Sequence, residues 1–194
     1  MSVPGVRSWI ALAAAMTLLL GLQDRAGAMD APQPSGPVIL TVAGKIAHSN
    51  RGALDPKRDG VLNHHEVTFE RAVQFDRKML ASLPQGTVRA RPAALSAAAT
   101  FAGPLLHEVL KRAGAEPQSV RSVRFLALDG YGGELTEAEL ADKTWILATT
   151  MDERPLALGG LGPLWLMRPP ASGVEVSEEE GQRWVWALFY MEAK

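Results

Sequence analysis

Four tryptophans crowd into residues 145–186, at Trp145, Trp165, Trp184 and Trp186, with Arg168 and Arg183 among them. Indole rings beside guanidinium groups suit one kind of chemistry: rings stack on a flat heterocycle while a cation and loop amides bind its polar edge. Large rings also fill cores, and at least two of these four are expected to do so. Trp165 sits in GLGPLWLMRP, an apolar stretch introduced by glycine and proline, which predicts a strand that presents the ring at its mouth. Trp184 and Trp186 share parity in RWVWALFYME, so a strand there turns both rings to one side.

Other reactive constellations are poorer. DPKRDGVLNHHE places Asp55, Asp59, Gly60, Asn63 and Glu66 at the first, fifth, sixth, ninth and twelfth positions of a calcium-type loop. Its third position is Lys57, an ammonium where a ligand oxygen belongs. His64 and His65 are adjacent and diverge on either a strand or a helix, so with His48 and His107 they are expected to be solvated or structural. Cysteine is absent, which removes thiolate nucleophiles and thiolate-held metals together. No G-x-S-x-G elbow, phosphate-cradling loop or dinucleotide fingerprint is present. The expected metal ligand set is empty.

The elements that must position these groups follow from local pattern. VILTVAGKI alternates Val38, Leu40 and Val42 against smaller residues, a half-buried strand ending at Gly44. Residues 49–63 read as a surface loop. FDRKMLASLP places Phe75, Met79 and Leu83 on one helical face, with Asp76 at the dipole end and Pro84 as the stop. TVRARP is a short strand candidate. In GPLLHEVLKRAGA the apolar face is Leu105, Leu106, Val109 and Leu110, with Pro104 in the first turn and Gly114 as the cap. SVRFLALDGYGG predicts a strand running into a glycine-rich loop, and Thr136 and Glu139 have capping-box spacing. WILATTM reads as a buried strand, DERP as a turn and VEVSEEEGQ as an acidic loop. Strands interrupted by short helices without a regular βαβ repeat predict a mixed α+β domain over residues 38–194.

The first 28 residues carry Arg7, an apolar run from Trp9 to Leu22, and small residues Ala26 and Ala28, the pattern of a cleavable signal peptide. The run is shorter than the roughly 20 residues of a membrane-spanning helix. Paired arginines for folded export are missing. The expected location is therefore the periplasm. Residues 29–37, rich in Pro, Gly and Ala, predict a flexible, solvated leader. Cleavage after Ala28 leaves about 165 residues, enough for a core that needs no disulfide. Lys and Arg total 20 against 21 Asp and Glu, which argues against nucleic acid as a partner.

In order and spacing, FAGPLLHEVLKRAGA, VRFLALDGY, WILATTMDERPLALGGLGPLWLMRP and RWVWALFYME resemble the molybdopterin-binding domain of the sulfite-oxidase fold, over roughly Val38 to Met191. VAGKIAHSN and F-D-x-x-x-L-x-x-L-P look like the small, exported, single-domain members of that superfamily. The family's enzymes bind molybdenum through a cysteine shortly before the G-V/P-x-L helix, where this chain reads TVRARPAALSAAAT. Where the family has G-x-P-L-R, this chain has Gly162, Pro163, Leu164 and Trp165. The resemblance without the thiolate and the arginine implies a noncovalently bound pterin and no molybdenum. It implies a non-catalytic periplasmic protein, similar to pterin-binding partners of membrane-bound cyclic-di-GMP enzymes, whose receiver is the periplasmic domain of a membrane signalling protein. On this reading Trp165, Tyr131 and Trp184 or Trp186 form the ring-contacting wall. Asn50, Arg51 and Asp129 offer edge hydrogen bonds, Arg168 or Arg183 lies near the ring edge, and Glu178 to Glu180 face the partner. The competing expectation is a molybdopterin-dependent oxidoreductase with an atypical metal site.

Overall fold

The computed structural model describes residues 30–116 and 118–194. The signal-peptide reading falls outside the described residues, and among those described no helix is long and apolar enough to cross a membrane. In chain order the first half runs β1 (Val38–Gly44), α1 (Gly60–His64), β2 (Val73–Asp76), α2 (Arg77–Ala81), β3 (Gln85–Ala90), β4 (Ala99–Pro104) and α3 (Leu106–Ala113). The second half runs β5 (Ser122–Ala127), β6 (Gly132–Thr136), α4 (Glu137–Leu140), β7 (Ile146–Ala148), β8 (Thr150–Met151), β9 (Arg154–Pro155), β10 (Trp165–Met167), α5 (Glu178–Gln182) and β11 (Leu188–Ala193). This is a mixed α+β architecture, as the element pattern predicts.

Three sheets share the core. The largest has the order β2-β1-β11-β5-β6, with β1 and β11 parallel and the other pairs antiparallel. A four-stranded antiparallel sheet runs β3-β4-β8-β9, and β7 pairs with β10 in a two-stranded ribbon. Leu40 and Val42 of β1 enter the main core with Val73, Phe75, Phe125 and Met191. The opposite face of the same sheet is covered too, because Ala43, Ala72, Leu126 and Tyr190 pack with Leu62 of α1 and with Leu54, Val67 and Phe69. The segment read as a surface loop over 49–63 therefore contains a short helix and seals a second apolar cluster. Small side chains at Ala43 and Ala72 leave room for it, and Phe69 stacks on Tyr190 at 6.4 Å.

The helices depart from the sequence pattern in instructive ways. In α3, Leu106, Val109, Leu110 and Ala113 are buried and Gly114 closes the turn at φ 72°, while Pro104 ends β4 instead of opening the helix. Phe75 belongs to β2, so α2 starts two residues later than its apolar spacing suggests, with Asp76 as its cap. Residues 178–182 form a helix where an acidic loop is predicted. The signal was present in S-x-x-E: Ser177 Oγ accepts the Glu180 N–H, and the Glu180 carboxylate accepts the Ser177 N–H. The closing strand starts only at Leu188, because residues 183–187 take an irregular path with Ala187 at φ 51°. Shared strand parity for Trp184 and Trp186 is thus not realised.

The described part of the leader is held down. Ala31 is buried and donates its N–H to the Ser49 carbonyl at 3.1 Å. Ser35 and Gly36 donate backbone N–H groups to Asp76 Oδ2 at 2.7 and 2.8 Å, and Met79 donates to Asp76 Oδ1 at 2.7 Å. One buried carboxylate thereby ties the leader, β2 and the start of α2 together. The Met79 N–H contributes most to holding this carboxyl below its usual range; burial opposes, and the Ser35 and Gly36 N–H groups add to the lowering.

A lowered folded-state value means this contribution is complete above the unfolded carboxyl's value of about 3.9 and is lost as pH falls through the folded one. Asp76→Asn is expected to lower the urea midpoint at pH 7, with the gap to wild type closing as acid unfolding is followed below about pH 4. A second prediction concerns the β4–β7 contact, where a Cβ at Gly103 would run into the Leu147 carbonyl oxygen and Ala148 Cα. Gly103→Ala is expected to cost about 1–3 kcal/mol in denaturant unfolding, since backbone on both sides must move.

Candidate functional site: an aromatic cleft

Trp165 opens β10 opposite Ala148 of β7. Its ring is packed edge-to-face against Phe101 of β4, at 5.3 Å and 78°, and against Trp184, at 6.4 Å and 84°. Trp184 is brought there by the irregular 183–187 crossing, which is pinned to the β10 region through Leu166 N–H to Val185 O at 2.8 Å and Ala187 N–H to Leu161 O at 3.1 Å. Both rings are only 3% exposed, whereas Trp186 on the same crossing is 41% exposed. The three line an open, mostly apolar cleft of about 630 Å³, within the size range of small-molecule sites. Trp165 and Trp184 form its floor, and Trp186 is the ring that solvent reaches.

Two chain segments form the remaining walls. Pro92, Ala93 and Ala94 come from the β3–β4 connection, and Val176 with the cleft-facing side of α5 comes from the other side. They are clamped together: Arg91 Nε donates to Glu175 Oε1 at 3.0 Å, and the Arg91 N–H donates to the Val174 carbonyl at 2.8 Å. The Glu180 carboxylate turns inward to accept the Ala171 and Ser177 N–H groups, and these bonds, Ala171 first, hold it below the usual carboxylate range. Glu178 is the one ionisable side chain in the described lining.

Of the residues singled out from sequence, the structure brings Trp165, Trp184 and Trp186 into one site. Tyr131 and Arg183 line a neighbouring cavity of about 170 Å³, which touches the cleft through Gln182. Tyr131 Oη donates to the Gln182 carbonyl at 2.7 Å, and Arg183 is paired with Glu139. Asp129 lines neither space; it accepts its own Tyr131 N–H at 3.0 Å in a local turn. Arg168 pairs with Asp142 at 3.2 Å and lies over Trp145, 5.4 Å from the ring centroid, so Trp145 is a core ring with a cationic cover. Asn50 is buried: its amide nitrogen donates to the Pro32 and Gln74 carbonyls at 2.7 and 2.8 Å, and its oxygen accepts the Gln74 N–H at 2.7 Å. Arg51 binds Asp59 at 2.7 and 3.1 Å over the face of Phe69. That bond to Arg51 is the main reason the Asp59 carboxyl is held low, and it takes up a carboxylate of the calcium-like stretch. Among the described residues no group of three His, Asp or Glu side chains is placed to hold a metal ion.

Residues 92–94 and 176–182 were not singled out as walls. The first falls in the stretch TVRARPAALSAAAT, the second in the stretch read as an acidic loop.

In fold, the chain is similar to the sulfane dehydrogenase SoxCD from Paracoccus pantotrophus, with a TM-score of 0.52 at 16% identity over 79% of this chain. The chain spans 37% of the length of that one. No family model matches the sequence, and no curated protein does. At this identity the likeness is one of architecture.

Because Asn50 spends its whole amide on the chain itself, Asn50→Ala is expected to destabilise the protein by roughly 2–3 kcal/mol in urea unfolding while leaving the near-ultraviolet signal of the tryptophan cleft intact.

Proposed function

We propose that this protein is a periplasmic, non-catalytic pterin-binding protein whose occupied state is read by the periplasmic domain of a membrane signalling enzyme. The observation that carries this reading is the composition of the cleft. The stretch that would carry the family's metal thiolate supplies Pro92, Ala93 and Ala94; the position that would carry its arginine supplies Trp165; and both meet in one aromatic space with Trp184 and Trp186. A flat heterocycle gains contact with the indoles there, and Glu178 is the one charged side chain it meets in the described lining.

Metal-loaded molybdopterin fits these residues badly. Its metal centre takes a soft sulfur ligand, and the chain contains no cysteine. Its phosphate calls for a cation, and Arg168 and Arg183 are both committed to carboxylates, at Asp142 and Glu139. The likeness in fold to a sulfane dehydrogenase supports the second reading, a molybdopterin-dependent oxidoreductase with an atypical site; stoichiometric molybdenum in protein purified from a periplasm would establish it over ours.

Neopterin titrated into the protein is expected to quench tryptophan fluorescence. Trp186→Ala, a change at an exposed ring that the fold tolerates, is expected to weaken binding about tenfold, the scale of one lost aromatic stack. Mass spectrometry of the small molecule released from purified protein is expected to identify a pterin. No quenching in wild type, or no effect of either Trp186→Ala or Trp165→Ala, overturns the proposal.

A further inference from the structure

Helix α5 presents Glu178, Gly181 and Gln182 to the cleft. These positions are three and four apart and therefore share one helical face. The three acidic residues of this helix have separate fates. Glu180 turns back to accept the Ala171 and Ser177 N–H groups. Glu179 does not line the cleft. Glu178 lines it and has no hydrogen bond or ion pair of its own within the described residues.

A second feature of the same space points to a ligand. Gly181 has no folding reason to be glycine. A Cβ there would meet only Val176 Cγ1 at 3.8 Å, an ordinary contact, and glycine weakens a helix. What the missing side chain does provide is a bare strip of backbone beside Glu178, over which a flat ring can lie.

We infer that Glu178 is the specificity-determining acceptor of the cleft, binding the paired N–H donors of a 2-amino-4-oxo-pyrimidine edge while Gly181 leaves room for the ring. This inference rests on the pterin reading above and narrows it. The edge in question occurs in pterins and in guanine, and a carboxylate accepts both of its adjacent N–H groups at once. A glutamine amide cannot, because one of its two terminal atoms is a donor. A phosphate-bearing ligand is disfavoured by the same carboxylate, which would lie near its charge without a cation between them.

The test is calorimetric titration of the full chain with neopterin, guanosine and lumazine, the last carrying a carbonyl in place of the 2-amino group. Wild type is expected to prefer neopterin. Glu178→Gln is expected to weaken neopterin about tenfold or more and lumazine clearly less, the scale of a lost hydrogen bond to a charged group. Gly181→Leu, which fills the strip, is expected to weaken all binding without lowering the melting temperature. Neopterin affinity in Glu178→Gln within about twofold of wild type overturns the role of Glu178 and leaves the pterin reading standing. Preference for guanosine with the same dependence on Glu178 supports the inference and overturns the pterin reading. Failure of wild type to bind any of the three overturns both.

Discussion

The cleft exists because a segment with no regular secondary structure is pinned beside a three-residue strand. Leu166 N–H to Val185 O, Ala187 N–H to Leu161 O and Leu188 N–H to Leu164 O run between the β10 region and the crossing into β11. These backbone bonds set Trp184 edge-on to Trp165 and turn Trp186 outward, an arrangement no strand parity could produce. Phe101 of the four-stranded sheet packs against Trp165 as well. All three sheets therefore contribute to the position of one indole: β10 carries it, β4 packs it, and β11 follows the crossing that completes its surroundings.

Electrostatics complete the picture by subtraction. Arg51, Arg91, Arg168 and Arg183 each have a carboxylate partner, in Asp59, Glu175, Asp142 and Glu139. Isolated pairs of this exposure add little to stability. Their effect here is on what the cleft lacks, since guanidinium groups paired elsewhere are not offered to a ligand phosphate. The Arg91–Glu175 pair has an added mechanical role, joining the β3–β4 connection to the segment that precedes α5 and so fixing the width of the cleft.

Legibility differed sharply between elements. The strand β1 with its end at Gly44, the apolar face and glycine end of α3, and the Thr136–Glu139 capping box all appear where local pattern puts them, because each depends on residues within a few positions of one another; the alternation expected in β1 does not, since Val38 is exposed and Leu40 to Ala43 are buried in succession. Helix α5 was equally legible through Ser177 and Glu180 but was masked by its charge, which reads as loop when the cap is overlooked. The second cluster beneath residues 54–69 was not legible. Alternation in β1 shows one apolar face, and only the sheet neighbours Ala72, Leu126 and Tyr190 reveal that the other face is covered as well.

By itself the sequence determined which chemistries this chain can attempt: without a cysteine no thiolate can bind a metal, and a tryptophan after Pro163 and Leu164 cannot neutralise an anion. It also determined that four of the five tryptophans lie in the last third of the chain. Which of them share a site, and which arginines are free to serve it, was decided by tertiary structure alone. Arg168 finds Asp142 across 26 positions and Arg183 finds Glu139 across 44. Pairings at that range are set by how the sheets pack, and side-chain type fixes a charge's sign but not its partner.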